Sequence, residues 1–160
     1  MTYNYLKLLH LVAVVIFLGN IFTGLFWMHI AVKTKDLKII SHSMKGIIKS
    51  DKLFTIPSIF FIIIGGFAAA IYSKTPLLHT GWIFWSLVLF SISGIAFGWK
   101  VAPLQRKIYR LASAQETTND FNWQNFNKTY FAWEAWGFVA LITPVGAFVM
   151  MILKIPARGI

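Results

Sequence analysis

From Leu8 to Val32 the chain runs apolar, with only His10, Asn20, Thr23 and His29 as polar interruptions. About 25 residues at 1.5 Å per residue exceed the roughly 30 Å of a bilayer's hydrocarbon core. They also exceed the roughly 7–15 apolar residues of a signal peptide, so a retained membrane helix is expected. Leu53–Tyr72, Gly81–Trp99 and Tyr130–Leu153 are three more runs of spanning length. In lipid each backbone group must be bonded within the protein, and these continuous runs lack the alternation of a barrel strand. The pattern therefore predicts an all-α fold, a polytopic membrane protein built as a four-transmembrane-helix bundle. Its single domain covers 1–160, with helices at about 6–32, 52–73, 81–100 and 129–154. Pro57 and Pro144 fall inside two of these runs and predict kinks where neighbouring helices cover the freed carbonyl.

Two connections keep a helical period of their own, at about 36–50 and 103–115. In the first, Leu37, Ile40, Met44, Ile47 and Ile48 share a face opposite lysines, and Asp36 is placed as the N-cap. In the second, Leu104, Ile108 and Leu111 repeat the pattern beside Arg106, Lys107 and Arg110. Such segments either lie in the headgroup plane or prolong the membrane helices.

Charge sets a direction on this frame. The chain carries 15 Lys and Arg against 5 Asp and Glu, a net charge of +10. Spread between apolar runs, that excess fits anionic lipid headgroups as partners, not nucleic acid. Lys33, Lys35, Lys38, Lys45, Lys49 and Lys52 fill the first connection, and Lys100, Arg106, Lys107, Arg110 and Lys128 the third, while the second holds only Lys74. By the positive-inside rule the first and third connections are cytoplasmic and both termini lie outside, together with Lys7, Lys154 and Arg158. There is no cysteine, which removes disulfides, thiolate metal sites and cysteine nucleophiles.

Polar groups inside lipid carry the candidate chemistry, because each is costly unless it has a task or a partner. His10 and Asn20 stand about 80° apart around one helix, so both can face the bundle interior. Gly19, beside Asn20, is expected to admit a neighbouring backbone. His29 lies about 28 Å along the helix from His10, too far to share one metal. His79, in the outer connection, is at a depth that His10 can approach, which makes His10, His29 and His79 the candidate cofactor ligands. Interhelical hydrogen bonding is the plain alternative for His10. Glu134, in YFAWEAWGF, is the one acid within an apolar run, and is either a proton relay or half of an ion pair with Lys100, Lys52 or Arg106. Such a pair would pin the fourth helix to the second or third, and Asp51 and Lys52 at the inner mouth of the second join the same network.

The aromatic cluster Phe121, Trp123, Phe126, Tyr130, Phe131 and Trp133 reads as an interface belt. Gly65, Gly66, Ala68, Ala69 and Ala70, with Ser91, Ser93, Gly94 and Gly98, read as close-packing positions. No phosphate loop, GxSxG or paired carboxylates appear, which leaves hydrolase, kinase and dehydrogenase chemistry without residues.

The segments LKLLH, VVIFLGN, DKLFTIPSIFFIIIGG, APLQRKI and TPVGAFVMMILKIP, taken together, resemble a bacterial family of four-helix integral membrane proteins of unknown function. That family is similar to CopD copper-resistance proteins and HemJ-type protoporphyrinogen oxidases, which also open on a K-x-L-H helix, here Lys7 to His10. The resemblance implies a bacterial inner-membrane location and haem b as the cofactor to consider, with His10 tied to the haem and His29 near the second position. The lysine that the HemJ type carries inside its third helix has no counterpart here before Lys100. Two functions stay open: a haem- or metal-binding membrane protein using His10, and a non-catalytic accessory that joins a homo-oligomer or a membrane partner subunit.

Overall fold

The computed structural model describes residues 2–114 and 121–156. Gln115 and Arg158 lie outside the described residues. Six helices follow one another: α1 (Thr2–Lys33), α2 (Leu37–Ser50), α3 (Ile56–Tyr72), α4 (Gly81–Ala96), α5 (Ala102–Ser113) and α6 (Trp123–Leu153). They make four rods, because α2 runs into α3 and α4 into α5 through single π-helical turns at Asp51–Thr55 and Phe97–Val101. Each rod is long and apolar enough to cross a membrane, from Tyr3–Lys33, Leu37–Tyr72, Gly81–Ser113 and Trp123–Leu153. No β-strand forms among the described residues.

The rods overshoot the expected spans, and the overshoot is where the charge sits. A rod of 31 residues is about 46 Å long, against a hydrocarbon core of about 30 Å. The surplus of α2 and α5 lies at the basic end, where these helices prolong the membrane rods and pack on each other. Their apolar faces are thereby buried in protein, with Ile40, Met44 and Ile108 fully enclosed. Asp36 caps α2 as its position suggests, its Oδ1 accepting from Lys38 N at 2.8 Å and Ile39 N at 3.3 Å. Lys35, Lys74 and Lys154 follow the ends of α1, α3 and α6 in the left-handed region, with φ of 54°, 53° and 54°. Their ammonium groups there complement the negative helix C-termini.

Prolines are absorbed, each by a different device. Both π turns are followed by a proline at the same offset, Pro57 and Pro103. In a regular helix the proline ring would press on the carbonyl four residues back, and the extra residue of a π turn moves that carbonyl aside. The widened turns are visible as Ile56 N bonding Asp51 O and Ala102 N bonding Phe97 O. Pro144 instead stays within α6, which continues unbroken around it. The carbonyl it leaves without a helical donor is that of Ala140, and Ser93 Oγ of α4 supplies the replacement at 2.7 Å. Ser86 Oγ makes a second such bond, to Ala147 O at 3.1 Å. These serines fasten α4 to α6.

Several side chains differ from the sequence expectation. Phe126, Tyr130 and Trp133 form core, not belt, with exposures of 0%, 3% and 2%. Their four- and three-residue spacing continues through Gly137, Ala140, Pro144 and Ala147 as the one buried stripe of α6. Phe131, at 62% exposure, remains on the outside. Gly19 meets nothing, since it lies one residue, about 100°, away from the inward Asn20. Gly94 and Gly98 likewise have no neighbour. Close approach occurs at Gly65 and Gly66, against His10, and at Gly24 and Gly137.

Packing is uneven along the rods. At the basic end α1, α2, α5 and α6 form a closed core around Met28, Met44 and Phe126. Toward the opposite end, α1 pairs with α3 and α4 with α6, and among the described residues the backbone of α3 approaches neither α4 nor α6. The two pairs diverge, and a cavity of about 750 Å³ lies between them.

Candidate functional site

His10 stands on the wall of this cavity. Residues of all four rods line it, including Val14 and Phe17 of α1, Ile62 and Gly66 of α3, Phe90 of α4 and Phe148 of α6. His10 Nδ1 is 2.9 Å from the carbonyl oxygen of Ile62. A carbonyl only accepts, so Nδ1 carries the hydrogen, and the neutral ring presents its lone pair at Nε2. A histidine that ligates a metal is typically held this way, by a backbone carbonyl on its other nitrogen. Nε2 has no hydrogen-bond partner among the described residues.

The sequence places the imidazole, and small residues seat it. A Cβ at Gly66 would lie 3.1 Å from His10 Cε1, and one at Gly65 the same distance from His10 Cβ. GlyGly in α3 is therefore the socket for His10. Phe17 and Phe90 meet across the inner part of the cavity, their ring centroids 5.7 Å apart. Tyr3, Lys7, Ser73, Thr75 and Lys154 supply the polar rim toward the terminal end. The space is thus apolar within and cationic at its mouth.

Asn20 and Asp51, the next two candidates, come together deeper in the bundle. Asn20 Nδ2 donates to Asp51 Oδ1 at 2.9 Å and to Thr55 Oγ1 at 2.8 Å. Thr55 Oγ1 donates to the same Oδ1 at 2.8 Å, and Gln105 Nε2 to Oδ2 at 2.8 Å. Asp51 is buried, not at an open mouth, because α2 prolongs its rod and folds over it. Thr55 and Gln105 are the members that sequence reasoning missed. Gln105 had a signal: it shares the spacing of Val101, Ile108 and Ala112, an apolar stripe with one polar residue in it.

Glu134 finds a different partner from the lysines and arginine considered for it. Tyr130 donates its hydroxyl to Glu134 Oε1 at 2.6 Å, and His29 Nδ1 lies 3.3 Å from the same oxygen. The pair ties α6 to α1, not to the second or third rod, and the His29 side chain is half exposed. His29 is accordingly at the basic end, away from the His10 cavity. Lys100 lies over the rings of Trp99 and Trp136, at 5.1 and 5.9 Å. Lys52 is exposed, as is His79, which lies in the loop after α3 and is not among the residues lining the cavity. Among the described residues no three His, Asp or Glu side chains gather to hold a metal ion.

This arrangement has the plan of an integral membrane protein with a cavity in one half and a polar clamp in the other. No curated protein and no solved structure matches the chain. A family described as predicted integral membrane protein (DUF2269) matches residues 4–155, nearly the whole length, and the protein belongs to that family.

Proposed function

We propose that this protein binds a b-type haem in the bacterial inner membrane, with His10 as the residue that would hold its iron. The observation that carries the proposal is the His10 Nδ1 bond to Ile62, which leaves Nε2 for a metal beside a cavity of about 750 Å³. That volume falls within the roughly 300–1,000 Å³ of ligand sites. The residues fit the group: Val14, Phe17, Phe90 and Phe148 give an apolar wall, and Lys7 and Lys154 at the rim match two propionates in charge. The single imidazole favours haem over a bare ion, because a haem iron is already held by four porphyrin nitrogens. When bound, haem supplies one-electron redox chemistry. The protein's part is to fix the imidazole tautomer through Ile62, exclude water, and hold the acidic edge of the ligand with lysine. The K-x-L-H opening that resembles the HemJ type supports the same choice of residue.

Reconstitution tests it. The purified chain incubated with haemin in detergent should show a Soret band, and His10→Ala should lose it while keeping its helical content. A wild-type protein that stays colourless, or a variant with an undiminished band, overturns the proposal. A colourless protein favours the accessory role, in which the basic end meets anionic headgroups or a partner subunit.

We propose also that the basic end is cytoplasmic and the cavity mouth outside, from the lysines of α2 and Arg106, Lys107 and Arg110 of α5. Reporter fusions after Ser73 and after Ser113 should then give opposite signals. A cytoplasmic signal after Ser73 contradicts this orientation, and equal signals contradict the four-span topology itself.

A further inference from the structure

Beside Asp51, between the two π turns, lies a second and much smaller space of about 20 Å³. Asn20, Asp51, Gln105 and Trp133 are the polar residues that line it, and Ile21, Phe97 and Val101 help to enclose it. A water needs roughly 10–15 Å³ of room for its centre and two to four polar partners. The volume admits one water molecule.

The polar atoms around it are unevenly used. Trp133 is 2% exposed, and its Nε1–H is the one buried side-chain polar atom without a hydrogen-bond partner among the described residues. An indole N–H only donates. Asn20 and Gln105 turn their amide nitrogens to Asp51, so their carbonyl oxygens are acceptors with no donor among the described residues. Asp51 Oδ1 accepts two bonds, from Asn20 and Thr55, whereas Oδ2 accepts only that of Gln105. One orphaned donor beside a carboxylate oxygen with a single partner is the pattern a water completes, since it accepts and donates at once. A metal cation would face the indole N–H and is disfavoured there.

Among the described residues no cation meets Asp51, and the only contact of an acid with a basic side chain is that of Glu134 with His29. Of the charged groups on the packed elements, Lys49 and Lys52 on its own rod and Arg106 on α5 are exposed, and Lys100 lies over Trp99 and Trp136. From α1 and α6 the groups nearest in sequence to Asn20 and Trp133 are His29 and Glu134, already paired with each other. The carboxylate is held by neutral donors alone, in a medium where such a charge is costly.

We infer that Asp51 and a water molecule held by Trp133 form an intramembrane proton-binding site. On uptake, the water passes one of its protons to Oδ2 as it takes one from the acidified solvent, so a new O–H bond forms on Oδ2, the water is restored neutral, and it keeps its bond from Trp133. Oδ1 keeps Asn20 and Thr55. Gln105 loses a charged acceptor, so proton occupancy sets how firmly α5 is tied to the π turn. This site is independent of the His10 cavity.

The chain has three aspartates, Asp36, Asp51 and Asp120, so Asp36→Asn with Asp120→Asn leaves Asp51 alone. Infrared difference spectra of that full-length chain, labelled with carboxyl-¹³C aspartate in lipid nanodiscs, should show an isotope-shifted acid carbonyl band that grows reversibly on acidification. A water O–H band sensitive to H₂¹⁸O should accompany it. Trp133→Phe should remove the water band and tighten proton binding by roughly tenfold to a hundredfold, the worth of one hydrogen bond to the carboxylate. Absence of a titrating Asp51 band while the protein stays folded overturns the proton site. A wild-type chain without the ¹⁸O-sensitive band, or a folded Trp133→Phe variant with unchanged titration, overturns the water.

Discussion

Asp51→Leu is expected to lower the stability of the bundle by about 2–4 kcal/mol, the largest effect of any single polar-to-apolar change in this chain. The side chains are similar in size, so the loss is one of hydrogen bonds and not of volume. Gln105 Nε2 is left as a buried donor with no acceptor, and Asn20 and Thr55 keep only each other. An unsatisfied buried donor costs about 1–3 kcal/mol, and interhelical polar bonds in membranes run from about 0.6 to 2 kcal/mol. Replacing the partners as well should reverse most of the damage. The triple variant Asp51→Leu, Asn20→Leu, Gln105→Leu should regain more than half of the lost stability, because apolar groups of like shape need no partners. Reversible unfolding in mixed micelles reads both numbers. A loss below about 1 kcal/mol for the single variant would mean that the donors reach solvent and are not buried.

Gly65→Val should separate α1 from α3 and abolish the His10 contact with Ile62. Any Cβ at position 65 lies 3.1 Å from His10 Cβ and 3.4 Å from its Cα and N, so backbone as well as side chain must yield. Overpacking of this kind costs about 1–3 kcal/mol. Ligand uptake in the cavity should fall together with stability, since the socket of the imidazole is what moves. Gly94→Val is the control, because nothing lies within 4 Å of a Cβ there and the residue faces outward. Its unfolding should match the parent. Equal losses at both glycines would show an intrinsic helix effect in place of a packing one.

How the site was and was not legible follows from the same residues. Asp36 as the cap of α2 and the inward turn of His10 and Asn20 were readable, because capping and helical angle are local properties. Gln105 lies in an apolar stripe that marks it, but the sequence leaves the third connection open between a headgroup-plane helix and a prolonged rod, so the stripe has no assigned partner. The aromatic stripe of α6 reads as a belt in the sequence because Phe126, Tyr130 and Trp133 lie where an interface would fall. Their period, continued through Gly137 and Ala140, held the correct answer.

What the sequence by itself determined is that the chain enters lipid in four rods, since about 20 apolar residues have no other stable place and no other backbone form there. It also determined which polar residues had to turn inward, since the alternative was hydrocarbon. The tertiary structure alone decided their partners. Asp51 met Asn20 and Gln105, 31 and 54 residues away in sequence, only because α2 packs on α5 around a π turn. It alone decided the cavity, which exists because α3 leans on α1 and α4 on α6, and no local pattern records that the two pairs diverge. Burial cost acts on each residue separately, whereas the space between helices belongs to none of them.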